Sequence, residues 1–366
     1  MSEITSWGMP MNDNTRNYAL DLFRIIAMLM ITALHVNWQH LDLLRPELPM
    51  PIAVCGYLIE YTCFAGVDCF AILSGFLLGG KVHEYDRKWL KNCLSFWLKM
   101  TFWSVVLYVA ECCILRTVAE PDWCSMFIVP LNKYWWYISA YAGLLIFMPL
   151  LGKGIRACGK KELPALAGGM FLVFSILPVA GGSEGASALD NGYSVIWLAI
   201  CFIYGGVLKE FMPQILRMKN IYPAAVVATV LSVILPCMFH LAGIYSGCVP
   251  DGRRFMSYLS PFCVLEAAGI LILCHKIQIR KNATRRIVTF LSVNSLGIYL
   301  LQTYPFVWNN FVLQSGQPVY SAGCAAGKFI FVFAALNAAG IFANVIVEKL
   351  FIISRLKNLP EFVTHR

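Results

Sequence analysis

A chain of 366 residues that is 59% hydrophobic and only 13% charged is too apolar for a soluble globular protein, which runs nearer half apolar and a quarter charged. Its mean hydropathy of +0.66 indicates a polytopic membrane protein. The net charge of +9 is spread over short loops between apolar runs, so it reports topology and attraction for anionic lipid or phosphate, and argues against nucleic acid as a partner.

A membrane-crossing helix needs roughly 20 apolar residues. Ten runs meet that need: 18–38, 52–80, 93–115, 133–152, 163–181, 193–209, 221–243, 258–275, 287–308 and 325–348. The first follows a polar stretch, contains an Asp and an Arg, and lacks a small-x-small cleavage pattern, so it reads as the first span and not as a removable leader. The second is long enough to tilt or kink. With the N-terminus placed inside, the inward segments hold 21 of the 29 Lys and Arg residues. Six more lie outside, and Arg24 and Lys99 fall within spans. Such a bias orients the chain. The expectation is an all-α helix bundle of about ten transmembrane helices with both termini cytoplasmic. It would comprise an N-terminal tail, 1–17, a single membrane domain, 18–348, and a C-terminal tail, 349–366. No internal repeat is visible. The 14 Cys residues fall mostly inside apolar runs, without C-x-x-C or Cys/His ligand spacing, and read as small core residues. Cys124 and Cys248 fall in outward loops, where a disulfide is conceivable. No metal signature and no phosphate loop is present, and no bound cofactor is expected.

The first span carries ionisable groups that lipid disfavours. In "LDLFRIIAMLMITALHVNW", residues 20–38, Arg24 and His35 are eleven residues apart, which places them within about 20° of one another on a helix. Asp21 falls on the same stripe and can pair with Arg24 at i,i+3. His35 lies about 16 Å further along the axis than Arg24. Such a stripe must face the bundle interior or a wet cavity. The plainer alternative makes Asp21 and Arg24 an interfacial anchor and His35 a hydrogen-bonding partner for a neighbouring helix. The second span adds Asp68 in "FAGVDCFAILSGFLLGG", residues 64–80, with Glu60 higher up. Running outside to inside, it brings Asp68 near the depth of Arg24 and Glu60 nearer His35. Gly66, Ser74, Gly75, Gly79 and Gly80 suit close helix approach.

Four stretches in order carry a resemblance. "LDLFRIIAM" followed by His35, eleven residues after Arg24, resembles the first helix of membrane-bound acyltransferase family 3. "GVDCFAILSGFLL" (66–78), "NKYWWYISAYAGLLIFMPLL" (132–151) and "SLGIYLLQTYPF" (295–306) resemble its later motifs. Two departures stand out. The late motif often ends in His, where this chain has Gln302, so no catalytic weight is placed there. The Arg-rich run after the second span is replaced by Arg87, Lys88 and Lys91, without its usual ending.

The resemblance implies transfer of an acyl group, commonly acetyl, from cytoplasmic acyl-CoA to a hydroxyl on an envelope glycan across a bacterial cytoplasmic membrane. Acyl-CoA would be a co-substrate, the glycan an acceptor and lipid the surroundings. Such chemistry needs a base or nucleophile and positive charge near the donor. His35 fits the first need and Arg24 the second. Asp68 or Glu60 would support one of them. Arg87, Lys88 and Lys91 could meet the CoA phosphates, and Trp135, Trp136 and Glu266 could stand on the acceptor side, although an aromatic belt and a topology signal account for several of these equally well. His240 and His275, near span ends, read as interfacial. Two alternatives stay open at this point. One is a permease whose buried charges bind a glycan precursor or relay protons. The other is an inactive family member acting as a scaffold.

Overall fold

The structure is a computed structural model, and it describes residues 16–45, 47–81, 84–116, 120, 122–128, 132, 134–182, 187–246, 252–313, 321–354 and 356–360. Cys248, Lys133, most of the N-terminal tail and the last six residues lie outside the described residues; Cys124 is a free thiol.

The described residues form helices joined by turns, with no strand among them. In chain order the helices are α1 (Tyr18–Leu34), α2 (Met50–Cys63), α3 (Gly66–Leu78), α4 (Arg87–Leu115), α5 (Trp123–Phe127), α6 (Trp136–Ala157) and α7 (Glu162–Phe171). They continue as α8 (Leu177–Ala180), α9 (Val195–Ile215), α10 (Ile221–Ser246), α11 (Pro261–Lys276), α12 (Asn282–Gln302), α13 (Pro305–Val307) and α14 (Ala322–Ile353). Wider π-helical turns occupy His35–His40, Leu172–Ile176 and Trp308–Val312.

Among the described residues, eight helical stretches are long and apolar enough to cross a membrane, or nine if one bent pair counts as a span. The expected ten are reduced for two local reasons. The run 258–275 yields a helix of only 16 residues, because Ser260 is extended and Pro261 starts the helix at its first position. The run 287–308 breaks instead of continuing. α12 ends at Gln302 and the chain bends by 68° before Pro305. A residue preceding proline avoids the helical region, and Tyr304 is accordingly extended, at φ −67°, ψ 132°. The second run is also interrupted, between α2 and α3 at Phe64–Ala65.

One contiguous apolar core runs through α1, α3, α4, α6, α9, α11 and α12. The α2–α3 stretch is 83% buried and the first span 72%, whereas the last span is 22% buried. The ionisable stripe of α1 therefore sits at the centre of the bundle. α14 turns large apolar side chains outward, among them Phe331 and Phe342, as a lipid-covered face does.

α3 and α9 cross at backbone contact. A Cβ on Gly75 would overlap the carbonyl oxygen of Phe202, and one on Gly205 the carbonyl oxygen of Ile72. Small residues at such crossings let backbones approach where no water-driven force brings helices together. Gly66 packs in the same way on α1. Gly80 does not share the role expected of it, since it faces open space, and Ser74 bonds locally to the Phe70 carbonyl at 2.9 Å.

Gly75→Leu should overpack this crossing and destabilise the purified full chain by about 1–3 kcal/mol or more, seen as a lower thermal unfolding midpoint in detergent. Gly80→Leu should change it by no more than about 0.5 kcal/mol. Equal midpoints for the two variants would show that α3 and α9 do not meet at Gly75.

Candidate active site

α1 is started by Asn17, whose Oδ1 accepts from the Ala19 backbone N–H at 3.0 Å. This places Arg16 just before the helix and Asp21 in its first turn. Arg16 donates to both oxygens of Asp21, at 2.6 and 3.2 Å. Arg24 approaches Asp21 at 3.5 Å and donates from Nη1 to Ser292 Oγ at 3.1 Å. Ser292 in turn donates to Asp21 at 2.7 Å. All four side chains are buried. The anticipated Asp21–Arg24 pair forms, but Arg16, which the topology argument treats as a loop cation, takes the shorter contacts. One acid faces two arginines, and Arg24 Nε keeps no partner. The cluster therefore retains positive charge.

A narrow cavity of about 30 Å³ begins one turn beyond this cluster and ends at His35. On α1 it is lined by Met28, Ile31 and His35, spaced so that they continue the Arg24 face. On α12 it is lined by Ser295 and Tyr299, which continue the face of Ser292. The two helices pack together and run parallel. Arg24 meets Ser292 at one end, and His35 meets Gln302 at the other. Tyr137, Trp136 and Tyr258 close the cavity, with the Tyr137 backbone N–H donating to the Tyr299 hydroxyl at 3.3 Å.

His35 opens the π-turn that follows α1. The turn inserts an extra residue's worth of backbone and re-aims side chains, as π-turns commonly do at functional sites. The His35 ring is half-buried, meets the edge of Trp308 with centroids 5.0 Å apart, and has no hydrogen bond at Nδ1. Gln302 lies within interaction range of the ring. It is fully buried, and apart from the His35 ring its amide has no hydrogen-bond partner among the described residues.

The remaining expected site residues divide. Asp68 is not drawn to Arg24. Its Oδ1 accepts from Trp197 Nε1 at 2.9 Å and from the Cys201 thiol at 3.8 Å. Asp68 lies two turns from Gly75 on α3, so it shares the face that the glycine crossing presses on α9. Glu60 does not reach His35 either. It accepts from Asn37 Nδ2 at 2.8 Å, because the π-turn presents Asn37 to α2. Glu266 is buried on α11 near Asp68, with Oε2 unpartnered. Trp135 is 1% exposed and donates to the Leu300 carbonyl at 3.1 Å, so it anchors α6 to α12, and only Trp136 lines the cavity. Arg87 and Lys88 are exposed and Lys91 half-buried at the start of α4; none lines this cavity. A second cavity, about 240 Å³, gathers Arg156, Lys160 and Lys209 beside Gly80 and Gly206, at the end of the bundle where α1 begins. His240 is not interfacial. It is buried, shares a 2.9 Å hydrogen bond with the Tyr61 hydroxyl and packs on Tyr57. His275 donates locally to the Leu271 carbonyl at 2.8 Å.

Asp21→Ala should leave two buried arginines without their acid and cost about 3–5 kcal/mol. Ser292→Ala should cost about 1 kcal/mol. Thermal unfolding of the purified full chain in detergent measures both, and equal losses would contradict the central place of Asp21.

Comparison with known proteins adds the family. Residues 17–347 match the family model described as an acyltransferase domain, Acyl_transf_3. No curated protein and no solved structure matches the chain. The match takes in every helix from α1 to most of α14, hence Asp21, Arg24, Ser292 and His35, with Arg16 one residue before it. The chain thus belongs to membrane-bound acyltransferase family 3 and is a multi-pass membrane acyltransferase.

Proposed function

We propose that the protein moves an acyl group, acetyl in the simplest case, from acyl-CoA in the cytoplasm to a hydroxyl of an extracytoplasmic glycan or other envelope molecule in a bacterial membrane. The observation that carries this reading is the position of His35. Its imidazole, with Nδ1 unpartnered, stands at one end of a narrow, mostly apolar cavity whose other end adjoins the positively charged Arg16–Asp21–Arg24 cluster.

In this reading the acceptor hydroxyl oxygen attacks the thioester carbonyl carbon while His35 takes the hydroxyl proton. The tetrahedral intermediate expels the CoA thiolate as the carbon–sulfur bond breaks, and His35 returns the proton to sulfur. A transient acyl-histidine would place the same demands on the ring. The apolar and aromatic walls exclude water, which suppresses hydrolysis of the donor. Arg24 supplies positive charge on the donor side. The basic groups at that end of the bundle, Arg156, Lys160 and Lys209 around the second cavity and Arg87, Lys88 and Lys91 at the start of α4, suit the CoA phosphates. Buried Asp68, Glu60 and Glu266 act through the packing of α2, α3, α9 and α11, without touching His35.

The reading is tested by mild-alkali release and mass analysis of ester-linked acyl groups from surface glycans. Cells carrying the protein, lacking it, or carrying His35→Ala at matched membrane abundance are compared. The expected result is the same lost ester in both defective strains, which also identifies the group transferred. An ester that persists in the His35→Ala strain at parental level overturns the assignment of His35. For the donor, Arg156→Ala combined with Lys209→Ala should raise the KM for acetyl-CoA about tenfold, the equivalent of one charge-assisted contact, with little change in kcat. An unchanged KM would remove the second cavity from the donor path.

A further inference from the structure

The parallel run of α1 and α12 leaves one group unexplained. A side-chain amide offers two donors and an acceptor oxygen, and buried polar groups are almost always bonded. Gln302 is fully buried, and beyond the His35 ring beside it no group takes up its amide. It falls on the cavity-lining face of α12, three residues after Tyr299 and seven after Ser295, and it stands beside His35. Its local surroundings do not claim it. The chain bends immediately afterwards, and both the backbone N–H and the hydroxyl of Thr303 are directed to the Tyr299 carbonyl. The other amide near the π-turn, Asn37, gives both of its Nδ2 donors to Gly56 and Glu60. Arg24 cannot serve at His35, since it lies about 16 Å away along α1 and is tied to Ser292.

Acyl transfer at His35 creates negative charge on the former carbonyl oxygen, and that charge needs a donor at the His35 end of the cavity. We propose that Gln302 is a catalytic residue for this step, its side-chain N–H donating to the acyl oxygen as it becomes the tetrahedral oxyanion. The inference rests on the reading of His35 as the acyl-transfer centre. The step balances without Gln302 being consumed. The acceptor oxygen–carbon bond forms, the carbon–sulfur bond breaks, and the proton passes from hydroxyl through His35 to the thiolate. The amide lends a hydrogen bond while the oxygen is negative and withdraws it when the carbonyl reforms. An amide held beside His35, with N–H donors that no other group claims in the free protein, is what a preorganised donor requires.

The test uses the full chain in membrane vesicles from its host, which carry their own envelope acceptors, supplied with acetyl-CoA. CoA release and alkali-labile acetate are measured for the parent, His35→Ala and Gln302→Met, and the purified proteins are unfolded thermally. Gln302→Met keeps the volume and removes the donor. The expected result is a fall in kcat of about 10²–10³-fold, a KM for acetyl-CoA within about threefold of the parent, and an unfolding midpoint equal to or above the parent's, because a buried amide with unclaimed donors has been removed. Parental kcat in Gln302→Met, with His35→Ala inactive, overturns the role of Gln302 alone. A midpoint that falls together with activity assigns Gln302 to structure and overturns it as well. A parent that shows no His35-dependent CoA release overturns the reading of His35 and this inference with it.

Discussion

The buried cluster of Asp21 between Arg16 and Arg24, tied to α12 through Ser292, is the constraint on which the rest of the site depends. Charges removed from water are tolerated only when paired and hydrogen-bonded, and here each charged side chain has at least one such contact. The contacts fix the rotation of α1 and pin α12 beside it at one depth. Once those two helices are registered there, their ridges run together along their length. The next residues along each face then have to bound a common space, and that space is the cavity ending at His35.

A second constraint separates the acids from the reacting groups. Without a Cβ at Gly75 and Gly205, α3 and α9 come into backbone contact, and the face of α3 that makes the contact also carries Asp68. One oxygen of its carboxyl, Oδ1, is consequently taken up by Trp197 and Cys201. The division leaves the cavity wall mostly apolar and aromatic around one imidazole, with a few hydroxyls and no acid. A low-dielectric site with few, directed polar groups makes each of them count for more than it would in water.

The irregular backbone is concentrated where the chemistry is placed. The first span passes into a π-turn at His35, and the ninth expected span breaks after Gln302, with a second π-turn opening at Trp308. Non-helical backbone at membrane depth is tolerated where it is buried in protein or lines a cavity. Here the two irregular segments pack on each other, so each covers the polar groups that the other's distortion exposes. A straight α1 would have carried another side chain toward Glu60 and Gln302.

What the sequence alone determined is the class of the molecule and one face of its site. Apolar run length set the helical membrane bundle, and the 3.6-residue repeat placed Asp21, Arg24 and His35 on one stripe, because both follow from local geometry that neighbours do not alter. The order of four motifs pointed to the family. Tertiary structure decided the rest. The depth of Asp68 in the membrane was readable, but its azimuth was not, since the α3–α9 crossing chose it. Trp135 and Trp136 are adjacent in sequence with identical side chains, and only packing against α12 makes one a core anchor and the other a cavity wall. Arg16 read as a topology cation because nothing local shows that the chain before α1 folds back onto Asp21. Gln302 drew no weight as a residue type. Its significance lies in a buried amide set beside an imidazole from a helix more than 260 residues away in sequence, with N–H donors that nothing else claims, and such a juxtaposition is a property of the folded chain alone.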